Sequence, residues 1–401
     1  MQMWIIDQNA NQKIMGWIKT AALPVVLALL LFTASGCRRG SRGAERLAED
    51  TSAAQSSNTN LTFNNITLEQ ANEKGQTLWK VKAATATYTP DKQVAQVQSP
   101  HGELYQDGKP IYRVEAKQGE VQQDGNRIVL RGNVVATDTQ SGAVLHGDEL
   151  HWDPKQDNLI VQGNLRGTHP DVTMTANQAQ LHNRQRRMEL SGNVVAIATK
   201  EPRLRLQAEK LVWLMKEQKV TSDRPVKIQR LEGKNNKVTD QASGNQAEVG
   251  LGPNKTVHLK QNARLNTLDP PLQIAGNSLI WDVKAKTIVA DQPVTVVNQQ
   301  QQVTATANRG RMELQPKVAY LNGNVHAIGK RNNSQLDSDR LTWTIPSQLL
   351  VAEGNVVYKQ PNPPATLRGS KAVGKLNNQT VTVTGGNGGR VVTEIVPQTL
   401  K

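Results

Sequence analysis

The sequence predicts an all-β fold, an elongated array of tandem repeats of about 31 residues. Three observations predict it. The phrase Leu130-Arg131-Gly132-Asn133-Val134-Val135-Ala136 returns as Leu190-Ser191-Gly192-Asn193-Val194-Val195-Ala196, as Leu321-Asn322-Gly323-Asn324-Val325-His326-Ala327 and as Gly354-Asn355-Val356-Val357, with a weaker copy at Gly163-Asn164-Leu165. A second pattern precedes each phrase, and four of the seven tryptophans occupy one slot of it, which chance does not produce. Inside each copy the apolar residues alternate with period two, the strand signature. A single copy cannot bury its apolar face, whereas stacked copies can.

The N-terminus carries a targeting element. Lys13 and Lys19 precede an apolar run from Ala21 to Phe32, followed by Thr33-Ala34-Ser35-Gly36-Cys37. Charge, apolar run and small residues follow the order of a secretory signal. Small residues before the only cysteine also suit acylation of Cys37, although Ala34 stands where such a signal usually has Leu. The other reading of 1–37 is an uncleaved anchor, since Ile14 to Gly36 is long enough to span a bilayer. Arg38, Arg39, Arg42 and Arg46 follow the run and argue mildly against export of what comes after. Residues 38–60 are small and polar without apolar periodicity, and read as a flexible tether.

From residue 61 the array begins. Its copies are Val81, Ala83, Ala86 and Tyr88; Val114, Ala116, Gly119 and Val121; Leu145, Gly147, Leu150 and Trp152; Met174, Ala176, Ala179 and Leu181; Leu206, Ala208, Leu211 and Trp213; Ile274, Gly276, Leu279 and Trp281; Ala305, Ala307, Gly310 and Met312; and Leu336, Ser338, Leu341 and Trp343. Degenerate copies start at Ala242 and Leu367. Between the second and third positions the parity slips by one, as a bulge or corner makes it do. Each copy therefore reads as a bending strand, a turn such as Asp153-Pro154-Lys155-Gln156-Asp157, and a second strand leading into Gly-Asn. Gly-Asn suits a two-residue hairpin loop, and a corner within one strand is the alternative. With one strand per leaf per copy, ten copies span at least ~48 Å. The copy at Ala242 lacks its Trp and follows a polar insertion at 231–241, which divides the array into 61–230 and 242–396.

The large slot residues are the candidate lining of an apolar trough. They are Val81, Ala83 and Tyr88, then Val114 and Ala116, then Leu145, Leu150 and Trp152, then Met174, Leu206, Leu211 and Trp213, then Ile274, Leu279 and Trp281, and last Leu341 and Trp343. Ordinary packing between two leaves is the other reading of the same pattern. No catalytic constellation accompanies it. The seven His have no metal-ligand spacing, and His146 and His151 flank a strand corner. Asp148, Glu149 and Asp153 read as turn residues. Gly385-Gly386-Asn387-Gly388-Gly389 reads as a turn, since it lies in a β context and opens no helix. The net charge of +14 suits an anionic partner. Nucleic acid would require exposed aromatics among the basic residues, and here the Trp fall in the patterned slots instead.

The stretch from Leu61 to Val134 resembles the LptC family of periplasmic lipopolysaccharide-transport proteins. The shared words are Gly75 with Leu78-Trp79, Val81 and Ala83, Tyr88, Pro100-His101-Gly102-Glu103-Leu104-Tyr105, Asp107-Gly108, Ala116 and Gly119, and Asp124-Gly125 leading to Gly132-Asn133-Val134. The later copies resemble the OstA-like repeats of the LptA bridge. The resemblance implies a β-jellyroll, or β-taco, of two facing sheets around a groove for lipid A acyl chains. It implies a membrane-tethered protein on the periplasmic face of the inner membrane, with no cofactor, no metal and no enzymatic step. The implied partners are lipopolysaccharide, an inner-membrane ABC transporter, and an LptA-like bridge or an outer-membrane LptD-like protein. The chain has about twice the repeats of a compact LptC. Two other readings stand beside this one: a structural or adhesive envelope repeat with a filled core, and a polysaccharide-acting β-solenoid enzyme, which would need a carboxylate cluster on one face.

Overall fold

The computed structural model describes residues 61–89, 93–122, 127–253, 255–385 and 392–395. The signal or anchor at 1–37, the tether at 38–60, Cys37 and most of the glycine cluster after Gly385 lie outside them. Among the described residues no helix is long and apolar enough to cross a membrane. The chain from Thr59 to Lys401 forms one compact unit, and its strands belong to a single antiparallel sheet.

Among the described residues that sheet is a meander of twenty-one rungs, fourteen of them continuous strands and seven split into two shorter ones. The strand Thr77–Tyr88, for example, pairs along Thr85 to Tyr88 with Val94–Gln98 and along Trp79 to Lys82 with His101–Gln106. Each rung thus gives one arm to each of two leaves and bends between them. Alternation within each arm turns every second side chain inward, and these inward residues form one continuous core. The result is an elongated jellyroll of tandem repeats, two rungs to a repeat. At ~4.8 Å per spacing its length is about 95 Å, twice the span expected from one strand per leaf per copy.

The bend explains the repeated phrase. Gly132 (φ 79°) and Asn133 (φ 50°) lie inside the strand Ile128–Asp138, and both adopt the left-handed conformation. Glycine takes it at no steric cost and asparagine at little. Gly163-Asn164, Gly192-Asn193, Gly323-Asn324 and Gly354-Asn355 repeat the pair of positive φ values. The hairpin expectation is therefore corrected: Gly-Asn is a corner within a rung, and the chain runs on in the same strand. In Thr256–Leu268 the corner is made by Gln261 and Asn262 without any glycine.

Two kinds of rung alternate. Across a Gly-Asn corner the inward residues are four apart, as in Leu130 to Val134 and Leu190 to Val194. In the rung between them they are three apart, as in Ala176 to Ala179 and Leu341 after Ser338. The difference of one residue is the register shift between Arg131 and Val134 opposite Glu149 and Gly147. The parity slip seen in the sequence is thus a bulge at the corner, which re-aims the arm so that both arms face inward.

Neighbouring corners interlock. A Cβ on Gly163 would lie 2.5 Å from Asp148 Oδ2, and one on Gly192 would overlap the Asn177 side chain. Asn164 Nδ2 donates to Asp148 Oδ2 at 2.7 Å, and Asn355 Nδ2 to Asp339 Oδ2 at 3.0 Å. Asp148 and Glu149 are therefore corner residues, not turn residues. Asp153 does cap a turn, accepting from the amides of Lys155 (2.9 Å) and Gln156 (3.0 Å). The stretch 231–241 holds the hairpin turn at 233–236 and the start of the strand Lys237–Gly244, which pairs with a strand on either side.

Candidate functional site

The space between the two leaves is lined by the slot residues. Val81, Ala83, Val114, Leu145, Leu150, Trp152, Met174, Leu206, Leu211, Ile274, Leu279, Trp281, Leu341 and Trp343 are all buried there, and Tyr88, Ala116 and Trp213 are half-buried against the same core. The structure thus brings the sequence-predicted set into one apolar interior. Trp152, Trp281 and Trp343 are at most 1% exposed, so large rings fill the lumen where each lies. The indole N–H groups of Trp152 and Trp281 have no partner. That of Trp343 donates to Gln301 Oε1 at 3.0 Å. An unpaired buried donor costs ~1–3 kcal/mol, so two of the three rings hold their slots by packing alone.

Because every rung is bent, its two tips end on opposite lips of the trough. One lip carries the turns at 139–143, 170–171, 199–202, 233–236, 269–270, 299–302 and 330–333. The other carries those at 154–157, 183–186, 215–218, 251–253, 283–286, 314–317, 345–348 and 376–379, and Lys255. Polar bonds join the lips. Gln106 Nε2 donates to Asp157 Oδ1 at 2.7 Å, and Arg186 Nη1 lies 3.4 Å from Asp138 Oδ2. His169 stacks edge-on against Trp213 at 5.3 Å between centroids. Lys255 Nζ donates to the carbonyls of Lys200 (2.7 Å) and Pro202 (2.9 Å). Lys317 Nζ meets Asp269 Oδ1 at 2.6 Å, and Gln301 Nε2 donates to the Ile345 carbonyl at 2.8 Å. The partners are 44 to 55 residues apart, so each of these tips is joined to the opposite lip about three rungs further on.

Burial shapes the charges at one of these latches and at two groups beside the interior. It lowers the Lys255 ammonium from its usual range, with Glu201 and Asp171 working the other way. It raises the phenol of Tyr112, whose ring packs edge-on to Trp152 at 6.4 Å. It also raises the Asp240 carboxyl, against the pull of Arg230 Nη1 at 3.4 Å. Sequence reasoning missed the latch residues Asp138, Arg186, Lys255, Lys317 and Gln301. Their partners lie some fifty positions away, and no local pattern marks them. His146 is exposed, and His151 is half-buried between Arg127 (2.9 Å) and Glu149 (3.1 Å). No group of three or more potential metal ligands occurs among the described residues.

Comparison with protein families gives a match. The model described as lipopolysaccharide-assembly, LptC-related, matches residues 25–163, 159–239 and 296–389, three stretches that together span most of the chain. No curated protein matches the chain.

Proposed function

We propose, from the premise that the chain belongs to the LptC-related lipopolysaccharide-assembly family, that its interior carries the acyl chains of lipopolysaccharide from rung to rung between the inner and outer membranes. The fold and family make the chain a periplasmic lipopolysaccharide-transport protein, a carrier with no bond chemistry of its own. In the fuller reading it is tethered to the inner membrane through residues 1–37. It accepts lipid from the ABC transporter there and passes it to an LptA-like bridge or an LptD-like outer-membrane protein.

The observation that carries this reading is the continuity of the apolar core through the whole sheet. Each acyl CH₂ taken out of water contributes ~0.8 kcal/mol, and an interior of uniform apolar lining makes that gain nearly the same at every rung. Movement then needs little climbing, and direction comes from the transporter. The net charge of +14 suits the phosphates of lipid A at the lips.

The filled lumen at Trp152, Trp281 and Trp343 favours the structural-repeat reading in one respect, since chains enter only if the leaves part. One experiment separates the two. Leu165 is buried in the interior and its neighbour Arg166 points outward and is exposed. A photo-crosslinking phenylalanine derivative at each position, in cells that make lipopolysaccharide, should capture the glycolipid from position 165 and not from 166. Equal capture at both, or none at either, rejects the interior as the path.

A further inference from the structure

The latches close the mouth of the trough at intervals, and the interval at which they stop is informative. The turn at 330–333 stands opposite 376–379, three rungs further on, the same stagger in rungs that brings Asp269 to Lys317. No hydrogen bond or ion pair joins these two turns among the described residues. Between them lies an apolar cleft of about 70 Å³. Leu336, Leu350, Ala372 and Val381 form its walls, and Arg331 and Lys375 stand exposed at its edge. The crossing of 233–236 with 283–286 also shows no polar latch, but there Leu231 and Val283 are buried.

The geometry points to this cleft as the lateral portal through which an acyl chain carried by an anionic headgroup passes between the trough and its surroundings, while latches, or at 233–236 the buried packing of Leu231 and Val283, hold the lips together at the other crossings described. The inference rests on the transport reading above and adds where along the mouth exchange occurs. Three features meet at this one place. The lips are unlatched, so parting them breaks no polar bond. The walls are apolar and continuous with the core, since Leu336, Leu350 and Ala372 belong to it. Two exposed cations stand at its edge, Lys375 and Arg331, the latter also donating through Nη2 to the Gln300 carbonyl at 3.1 Å. The cleft leads from exposed Arg331 and Lys375 to buried Leu336 and Ala372, a path for the end of a chain. Further entry requires the lips to open, and here they are free to do so.

The test supplies the missing latch. Gln379 and Arg331 both line the cleft, and Gln379→Asp offers Arg331 a carboxylate, as Asp269 is offered to Lys317. The full chain in detergent is mixed with brominated dodecyl phosphate or with a neutral brominated monododecanoylglycerol, and quenching of tryptophan fluorescence gives the entry rate of each. Lipid A binding at equilibrium is measured in parallel by native mass spectrometry. The expected result is that Gln379→Asp slows both probes about two- to fivefold at low salt, the range for one surface ion pair, and that 1 M salt abolishes the slowing. Lys317→Ala, which removes an existing latch, should leave entry unchanged or faster. Slowing of the anionic probe alone would be simple charge repulsion and would overturn the portal. So would unchanged rates in a protein that binds lipid A. A wild-type chain that binds neither lipid A nor the probes would overturn the transport reading itself.

Discussion

Gly192→Ala should weaken the jellyroll at one corner, and its cost can be worked from two separate causes. Gly192 has φ 77°, where an L side chain is strained by ~1–2 kcal/mol. Its new Cβ would also overlap Asn177 Nδ2 and lie 2.7 Å from Asn177 Cβ and Cγ. Overpacking of this kind costs a further ~1–3 kcal/mol, because Asn177 sits at the corner of the neighbouring rung and cannot leave without disturbing its own bend. The sum is about 2–5 kcal/mol. Gly142→Ala is the internal control, since Gly142 has φ 71° and nothing within 4 Å of its Cβ position. It carries the strain without the overlap, ~1–2 kcal/mol. A repeat array opens locally as well as globally, so the assay is hydrogen exchange read rung by rung, with chemical denaturation beside it. Amides of Val172–His182, Arg187–Ala198 and Arg203–Leu214 should lose protection by a factor of about 30 or more in Gly192→Ala, the equivalent of ~2 kcal/mol. The loss should be clearly smaller around Gly142→Ala. If the two variants lose protection equally, interlocked corners are not what holds the bend, and the account of the Gly-Asn phrase given above is wrong.

Other expectations follow from the interior and its edges. Trp343→Phe should cost about 1–2 kcal/mol more than Trp281→Phe, because the first breaks the bond to Gln301 while the second removes an indole N–H that has no partner; equal losses in urea denaturation would contradict this. His258 and His151 are both held below the usual imidazole value of 6.5, chiefly by burial. The unfolded chain then binds more protons than the folded one below pH 6.5. Stability present above that pH is lost as pH falls towards the depressed folded values. Denaturation midpoints measured from pH 7 to pH 5 should therefore fall, and His258→Gln should flatten the slope; an unchanged slope would show that another group titrates in this window.

The parts of the fold that repeat were readable in the chain, and the parts that do not were hidden. Slot residues such as Leu150 and Trp152 obey strand alternation, and the three-residue step from Gly147 to Leu150 betrays the bend. What Gly132-Asn133 does was undecidable locally. A tight Gly-Asn hairpin and an in-strand corner both call for positive φ at the glycine, and only the pairing of Val134 with Gly147 rather than with its own strand distinguishes them. The true reversals have little common chemistry: their last residues include Asp157, Arg186, Gln218, Lys317 and Gln348, all at positive φ without a glycine among them. Of the candidate site, the burial of the slot residues was legible because burial and alternation are local properties. The lips were not, because Asp269 and Lys317 meet only after three rungs of folding have placed them together.

That stagger bears on how the protein is built. Corners and ladders involve neighbours in sequence, so a rung can form as soon as the next one is made. Closure is different. A tip such as Asp269 waits for Lys317, 48 residues later, and Lys200 waits 55 residues for Lys255. A chain growing from its N-terminus therefore trails an open seam some fifty residues long, which zips shut at one end as fast as synthesis extends it at the other. A chain stopped after Glu313 would keep Lys255 on Lys200 but leave Asp269 waiting. Cysteine-reactive labelling of Ile274→Cys would detect such a seam as rapid modification in that truncated chain and slow modification in the full one.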